Sequence, residues 1–508
     1  MEDTEQQVDT ENVSGIMRLE NRIGSLLPNS INWNVILIVY AVILIALNFS
    51  RLFYNNFWGD ECYDIMLTRG TYENLMYMTE YHDNHPPLHY LYVKFMCDLL
   101  GQEPFVYNLT SFIPYLLLMI ITLTFVRKHM GADAAAIVIT FMSILETSLY
   151  YITEMRQYQL AMFFIFIVFL LFYKLLKEPS VKYFVLLTVL YIAACYTHYY
   201  VLMAGGLMYV AYGIKCLIHK EMVPFKYALI SLIVSILAFL PWMQFFLTEA
   251  SDLSEHFWLE GIPSLSGCIM WFFGYNYIWI LFYFGLFLIV LYILFRFNVL
   301  KNKDNLAGKL ISFFDLGEHK WAISIIGVAS IFLVIIGMYI MSTINTPVLS
   351  CRYVYPFSAI IWVIFAMIVV GCKARKTAFV IVIAIILAFG IPNCYIWMTD
   401  EYNENETIKT TLDITYPLMN DDDYLVSDVL MFAGNECLYY YGIECNLYYN
   451  HDEIIDHLTT EHQNWLFLRN MMDEGMSKRI SDMGYKCDLI MEDGRLGSEV
   501  LQIYRVTM

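Results

Sequence analysis

The hydrophobic pattern of this chain consists of long apolar runs separated by short polar connections. Runs approaching about 20 residues, the length that crosses a bilayer as a helix, recur through most of the sequence. They predict a mainly α-helical, polytopic membrane protein with about eleven transmembrane helices. Composition agrees, since 59% of the 508 residues are hydrophobic and 15% are charged, against about 45–50% and about 25% in soluble domains. The runs cover residues 33–48, 105–126, 134–151, 159–176, 183–199, 201–218, 227–247, 277–297, 321–341, 354–370 and 378–397.

Polar segments at both ends divide the chain into parts. Residues 1–30 are acid-rich and lack the basic start of a signal peptide, so we expect a cytoplasmic tail. Residues 31–398 form the predicted transmembrane domain, with a long external loop at 51–104. Over 399–508 the apolar runs shorten and alternate with helix-like segments, which predicts a small soluble α/β domain. Strands are expected at 424–427, 445–449, 465–469, 487–491 and 500–505, and helices at 429–441, 452–461 and 472–483.

Basic residues predict how the chain is oriented in a cell membrane. They cluster in alternate connections, and short cytoplasmic loops are enriched in Lys and Arg. The amino terminus is therefore expected in the cytoplasm, with the 51–104 loop and the carboxy-terminal domain on the exoplasmic side. The net charge of −18 argues against binding to nucleic acid. The clusters are Arg127 and Lys128; Lys174, Lys177 and Lys182; Lys215, Lys220 and Lys226; Arg296, Lys301, Lys303, Lys309 and Lys320; and Lys373, Arg375 and Lys376.

Two adjacent carboxylates, Asp60 and Glu61, follow Trp58-Gly59 in the predicted external loop. An ionised group near hydrocarbon is costly unless it is paired, hydrated or functional. Neighbouring residues point in different directions, so the pair suits one general base and one orienting group rather than a glycosidase pair. We assign Asp60 as the base and Glu61 as the orienting group. The alternative is that Asp60 caps a surface helix over 62–69, that Glu61 is favoured by the helix dipole, and that neither takes part in chemistry.

A histidine-rich segment, Tyr81-His-Asp-Asn-His-Pro-Pro-Leu-His89, lies downstream in the same loop. Its paired prolines bias His85 towards an extended conformation, which predicts a substrate-binding side chain with a fixed direction. His82, Asp83 and His89 are the residues that would hold a divalent metal. Histidines at irregular spacing more often form hydrogen bonds, so a hydrogen-bonding role is the preferred interpretation and a divalent metal is the alternative. No other cofactor is predicted.

Two arginines are expected on the same face as Asp60. Arg156 lies between the third and fourth apolar runs, and Arg352 opens the tenth. Arginine binds phosphate through two parallel hydrogen bonds, so both are candidate ligands for a lipid-linked phosphate. The alternative is that each extends from a helix end to the membrane interface. The neighbouring polar residues on that face are further candidates for substrate binding: Glu154, Tyr158, His198, Tyr199 and Tyr353.

These motifs, taken in order, resemble a known family. Trp-Gly-Asp-Glu at 58–61, His-Pro-Pro-Leu at 85–88, Glu-x-Arg-x-Tyr at 154–158, Thr-His-Tyr-Tyr at 197–200, Pro-Trp at 241–242 and Arg-Tyr-x-x-Pro at 352–356 are similar to those of GT-C glycosyltransferases. The chain most resembles bacterial relatives of protein O-mannosyltransferases and of the aminoarabinose transferase that modifies lipid A.

The resemblance implies an inverting transfer of a sugar from a polyprenyl-phosphate donor to a cell-envelope acceptor. It implies that Asp60 is the base and that Glu61 positions the acceptor. Aminoarabinose transferases usually have Lys before the paired prolines, where this chain has His85. The acceptor therefore stays open between glycan, lipid and protein.

Two other classes share the predicted architecture. A transporter or flippase of lipid-linked sugars is one, but transporters place polar sites near the membrane midplane and show inverted repeats. Here the charged residues lie near the ends of the runs and no repeat is evident. A noncatalytic scaffold presenting the soluble domain would leave the motifs of the 51–104 loop without a role. A membrane glycosyltransferase is the preferred interpretation.

Overall fold

The computed structural model describes the chain in two compact units. The first contains Met1–Leu52, Met76–Tyr92 and Asn108–Cys394, and the second contains Phe53–Leu75, Val93–Tyr107 and Tyr395–Met508. The described residues are 15, 17–25, 32–53, 57–256, 261–274, 283, 285–290, 292, 312–314, 316–345, 347–399, 413–420, 422–427, 438–442, 446–447, 451–468, 472, 474–496 and 499–508.

Helices make up most of the apolar spans and most of the 51–104 loop. Residues 17–25 are helical. In chain order the helices named below are α1 (Trp33–Phe49), α2 (Gly59–Arg69), α3 (Tyr72–Tyr81), α4 (Leu88–Leu100), α5 (Pro104–Ile121), α6 (Ala132–Ile144), α7 (Glu146–Tyr151), α8 (Tyr158–Lys177), α9 (Val181–Cys195), α10 (Tyr199–Ile218), α11 (Met222–His256), α12 (Leu265–Trp271), α13 (Glu318–Ile344), α14 (Ser358–Gly371), α15 (Arg375–Thr399), α16 (His451–Asp456) and α17 (Glu474–Asp482).

The prediction of a multi-pass membrane protein is confirmed. Among the described residues, eight helices are long and apolar enough to cross a bilayer, and α6 and α9 are shorter apolar helices. The run predicted at 277–297 lies largely outside the described residues, so the count of about eleven stays a prediction. The eight spans are Trp33–Phe53, Pro104–Met130, Tyr158–Lys177, Tyr199–Ile218, Met222–Thr248, Glu318–Ile344, Cys351–Gly371 and Arg375–Met398.

Two predicted runs end earlier than hydrophobicity indicates. The 134–151 run divides at Leu145, which is extended with φ −69° and ψ 143° and separates α6 from α7. The Ser148 hydroxyl donates to the Phe141 carbonyl at 2.9 Å, so a side chain provides a hydrogen bond to a backbone carbonyl near the break. The 183–199 run stops at Cys195, because His198 is extended and caps α10.

Two spans lie in the interior of the first unit. Buried residues make up 78% of the apolar window of Tyr158–Lys177 and 89% of that of Cys351–Gly371, but only 22% of that of Arg375–Met398. Phe141 of α6 stacks on Trp362 of α14, with ring centroids 5.9 Å apart. A helix that is apolar on all sides belongs in such an interior.

The carboxy-terminal part of the second unit contains a five-stranded sheet in the order β2-β1-β3-β5-β4. The strands are β1 (Tyr424–Ser427), β2 (Asn446–Leu447), β3 (Asn464–Leu468), β4 (Lys486–Leu496) and β5 (Glu499–Thr507). β1 pairs in parallel with β2 and β3, whereas β5 is antiparallel to β3 and β4. Ile454, Ile455 and Ile480, from α16 and α17, contribute to one apolar core with residues of β1 and β3.

The small α/β domain expected from the sequence is therefore present, with some shifted boundaries. β4 extends to Leu496, beyond the predicted 487–491. The helix expected at 452–461 ends at Asp456, where Asn464 bonds the backbone N–H and C=O of Thr459, both at 2.8 Å. Most of the helix predicted at 429–441 lies outside the described residues. The part that is described, 438–441, is helical.

Candidate active site

The predicted carboxylate pair occupies the first turn of α2. An acidic side chain there is favoured by the positive end of the helix dipole. The Trp58 N–H donates to a Glu61 carboxylate oxygen at 3.3 Å. Glu61 is buried at 4% exposure, whereas Asp60 is only partly buried. Of the two, Asp60 is the more exposed.

A third carboxylate on α2, Asp64, was not singled out in the sequence analysis. It is completely buried and lies one turn after Asp60, on the same face of α2. The spacing of four residues could have indicated it. Nothing in the residue type itself shows that this side chain is buried while its neighbours are not.

In the first unit, the His-Pro-Pro segment is organised around Asp83. Its carboxylate accepts from the backbone N–H of His85 at 2.9 Å and from the Tyr90 hydroxyl at 2.9 Å. The His85 ring nitrogen Nδ1 also lies 2.9 Å from it. Burial raises the pKa of Asp83. The hydrogen bond and the charge of His85 together lower it by more, so the pKa lies below its usual range. Asp83 is therefore an anchor that fixes the direction of His85.

His198 is held in one tautomer where α9 turns into α10. Its Nδ1 accepts the backbone N–H of Tyr200 at 3.2 Å, so in the neutral ring Nε2 carries the proton. Burial lowers the pKa of His198 to about 3, and the neighbouring positive groups His85 and Arg156 act in the same direction. His198 thus presents a neutral N–H donor.

Aromatic rings surround His198. The ring centroids of Tyr158, Tyr200 and Tyr353 lie 5.9, 5.6 and 5.7 Å from that of His198. The His85 ring lies 6.5 Å away. Of the predicted substrate-binding residues, His85, Tyr158, His198 and Tyr353 therefore come together, and Tyr200 is a member that the sequence analysis missed.

Arg156 and Arg352 belong to the same environment. Both positive charges help to lower the pKa of His198, and that of Arg156 also helps to lower the pKa of Asp83. Arg156 is buried at 5% exposure, and the Arg352 guanidinium lies 5.6 Å from the centre of the Tyr353 ring. The Glu154 carbonyl accepts the Arg156 backbone N–H at 2.8 Å and a hydrogen bond from Ser111.

Three other candidates have separate surroundings. Tyr199 points towards α11, where its hydroxyl accepts from the Trp242 indole at 3.0 Å. The exposed His82 ring lies 5.5 Å from that of Tyr77, and the buried His89 ring lies 5.5 Å from that of Tyr90. Within the part of the chain that the structure describes, no group of three or more His, Cys, Asp or Glu is placed to hold a metal ion.

The fold is shared with solved structures of a membrane enzyme, although no family model and no curated protein matches this sequence. ArnT from Cupriavidus metallidurans bound to undecaprenyl phosphate is similar with a TM-score of 0.56 at 11% sequence identity. The match covers 93% of this chain and 98% of that one. The apo form of the same protein gives a TM-score of 0.52 at 13% identity, covering 93% and 97%. ArnT is the lipid A aminoarabinose transferase, a GT-C enzyme, so the fold expected from the motif resemblance is confirmed.

Proposed function

We propose that this protein is an inverting glycosyltransferase that moves a sugar from a polyprenyl-phosphate donor to a cell-envelope acceptor at the outer face of the membrane. The observation that carries the proposal is the start of α2. There Asp60 is accessible, while Glu61 and Asp64 on the same helix are buried. Similarity to a fold that binds undecaprenyl phosphate in ArnT supports a donor of that kind.

In the proposed reaction Asp60 takes the proton from the acceptor nucleophile. The nucleophile attacks the anomeric carbon from the face opposite the phosphate, so the configuration inverts. The bond between that carbon and the phosphate oxygen breaks, and the polyprenyl phosphate leaves with the electron pair. A phosphate is a weak base, so it needs cationic and hydrogen-bonding stabilisation rather than a proton.

The group around His198, in the first unit, has the charge and the hydrogen-bond donors that bind a phosphate. Arg156 and Arg352 supply guanidinium charges that stay ionised near lipid. His198 supplies a neutral N–H with a fixed direction. His85, directed by Asp83, is a further ligand for the phosphate or for a sugar hydroxyl. Tyr158 and Tyr353, whose rings lie 5.9 and 5.7 Å from that of His198, are further candidates for contact with the apolar face of a sugar.

The test is transfer of labelled sugar from synthetic undecaprenyl-phosphate sugars to membranes of a strain that lacks this protein. We expect Asp60→Asn to stay folded and to bind donor, because the shape is kept. Its turnover should fall by roughly 10²–10⁴-fold, the usual contribution of a positioned base. Glu73→Gln, the same loss of charge in the exposed first turn of α3, should remain within twofold of wild type. A folded Asp60→Asn protein with nearly full activity would refute the mechanism.

A further inference from the structure

The start of α2 is held by a tyrosine from the carboxy-terminal part of the chain. The Tyr440 hydroxyl accepts the Phe57 backbone N–H at 2.6 Å and donates to the Phe57 carbonyl at 3.2 Å. A single side chain thus bonds both backbone groups of a residue that immediately precedes the helix. All of these residues belong to the second compact unit.

Tyr439, the preceding residue, contacts both ends of the same helix. Its ring meets that of Phe57 edge to face, with centroids 5.8 Å apart. The guanidinium of Arg69, in the last turn of α2, lies 5.1 Å from the centre of the Tyr439 ring. Burial raises the pKa of Tyr439, and the charge of Glu61 adds to this effect.

Phe57 itself is tightly enclosed. It is 2% exposed, and its ring packs edge to face on Tyr107 at 5.7 Å. The next residue, Trp58, donates its N–H to Glu61. A continuous series of contacts therefore connects Tyr440, through Phe57 and Trp58, to the first turn of α2.

We propose that Tyr440, supported by Tyr439, is a positioning residue that fixes the first turn of α2 and with it Asp60. This inference rests on the proposed role of Asp60 as the base. A general base must be held within about 0.5 Å of its working position, and a displacement of about 1 Å can lower the rate about 100-fold. The tail is then needed for turnover, whether or not it contacts an acceptor.

Tyr440→Phe tests this proposal with the loss of one oxygen atom. We expect a folded protein whose donor affinity is within twofold of wild type and whose kcat is lower by about 10-fold or more. Tyr441→Phe is the matched control, because the Tyr441 hydroxyl donates to the Asp413 carboxylate. It should remain within twofold of wild type. Amide hydrogen exchange at residues 57–62 should become faster in Tyr440→Phe and stay unchanged in Tyr441→Phe.

A double-mutant cycle separates positioning from a general loss of stability. If Tyr440 acts through Asp60, the Asp60→Asn, Tyr440→Phe double variant should turn over as slowly as Asp60→Asn and no slower. Independent structural damage would instead multiply the two losses. Arg69→Met removes the cation over Tyr439 and should also lower kcat, which gives a second variant should Tyr440→Phe not fold.

The outcomes also separate this inference from the proposed function. An active Asp60→Asn enzyme contradicts the role of Asp60 itself. An inactive Asp60→Asn enzyme together with a fully active Tyr440→Phe enzyme contradicts only the positioning role. Unchanged hydrogen exchange at 57–62 in Tyr440→Phe contradicts it as well.

Discussion

The carboxylates of α2 differ in exposure, and the roles proposed for them lead to different predictions. Glu61 is buried and accepts the Trp58 N–H, whereas Asp60 is more open. Gln at position 61 keeps an oxygen that can accept the same N–H. A change in charge without a change in shape therefore distinguishes an orienting residue from a base.

Glu61→Gln should keep the fold and raise the apparent KM for acceptor more than it lowers kcat. The reason is that an orienting group acts on binding, while a base acts on the transition state. Steady-state transfer kinetics with varied acceptor would measure both constants. A loss of kcat as large as that of Asp60→Asn would show that the assignment of roles is wrong.

The two arginines near His198 provide a prediction about geometry at constant charge. Arg156→Lys and Arg352→Lys keep the charge but lose the planar, bidentate donor. We expect each to weaken binding of undecaprenyl phosphate about 10-fold or more, the scale of one strong charge-assisted hydrogen bond. Direct binding by calorimetry is the measurement.

Arg479→Lys is the control for that experiment. Arg479 is exposed and bonds Asp456 at a distance of 3.4 Å, so its replacement should leave binding unchanged. Wild-type affinity in both Arg156→Lys and Arg352→Lys would remove the phosphate assignment.

His198 predicts a pH dependence of stability with a definite sign. Its pKa is about 3 in the folded protein and about 6.5 in an unfolded chain. Below pH 6.5 the unfolded state takes up a proton that the folded state does not, so stability falls as the pH drops towards 3. The slope approaches about 1.4 kcal/mol per pH unit for this one group.

His198→Asn removes this proton uptake and keeps a good cap for α10, since Asn caps helices well. Its thermal midpoint in detergent should fall less than that of wild type between pH 7 and pH 5. The carboxylates that titrate in the lower part of this pH range are present in both proteins, so they shift both thermal midpoints. Parallel midpoint curves would contradict a neutral, buried His198.

At this scale the sequence predicted a large part of the candidate site. Paired prolines predicted a fixed His85, and the Thr-His-Tyr-Tyr motif at 197–200 included His198. Tyr200 lies in the Thr-His-Tyr-Tyr motif but was not chosen as a site residue, and Tyr439 and Tyr440 could not be found in this way, because tyrosine is abundant in this chain. Their roles depend on contacts between residues far apart in sequence, such as Tyr440 and Phe57.

Among the elements, α9 and α10 are brought together by a glycine. A Cβ atom at Gly205 would lie 2.2 Å from the Tyr191 ring, which is much closer than a real contact allows. The Tyr191 hydroxyl also donates to the Leu202 carbonyl at 2.6 Å, so the ring has little freedom to move away. His198 lies in the turn that joins these two helices.

Gly205→Ala should therefore destabilise the protein by about 1–3 kcal/mol, the usual cost of overpacking. Gly337→Ala, within α13, is the control, because nothing lies within 4 Å of a Cβ there and alanine favours a helix. Thermal unfolding of the purified proteins compares them. Equal stability of Gly205→Ala and wild type would show that Tyr191 does not pack against this glycine.

Element boundaries were predicted less well than element types. Hydrophobicity detects a run that can be buried, but it continues across a backbone break whose residues are themselves apolar. Leu145 is such a residue, and the division between α6 and α7 left no mark in the pattern. In the tail, the length of the apolar runs predicted where the strands lie, although β4 is longer than expected. The end of α16 depends on side-chain bonds from Asn464.

At the scale of the whole first unit, contacts gather the predicted cytoplasmic segments together. Arg375 pairs with Asp133 at 3.1 Å, and Glu20 accepts the backbone N–H groups of Lys376 and Thr377. Burial raises the pKa of Glu20, but the bonds from Thr377 and Lys376 lower it by more, so the pKa lies below its usual value. The predicted exoplasmic turns meet separately, where the Leu88 N–H donates to the Tyr196 carbonyl. The contacts show which loops lie together, and the basic residues predict which side of the membrane each group faces.

The orientation can be tested with single cysteines at exposed positions. Ser481→Cys, on α17 of the tail, should react with a membrane-impermeant maleimide in intact cells, because the tail is predicted to be exoplasmic. Lys128→Cys, in a basic connection, should react only after permeabilisation, since positive loops remain in the cytoplasm. Wild type measures the background from the 11 native cysteines, and labelling of both variants in permeabilised cells confirms that both thiols are accessible. Because Asp60 and the tail share one compact unit, labelling of Lys128→Cys but not of Ser481→Cys in intact cells would place the proposed base in the cytoplasm and rule out transfer at the outer face.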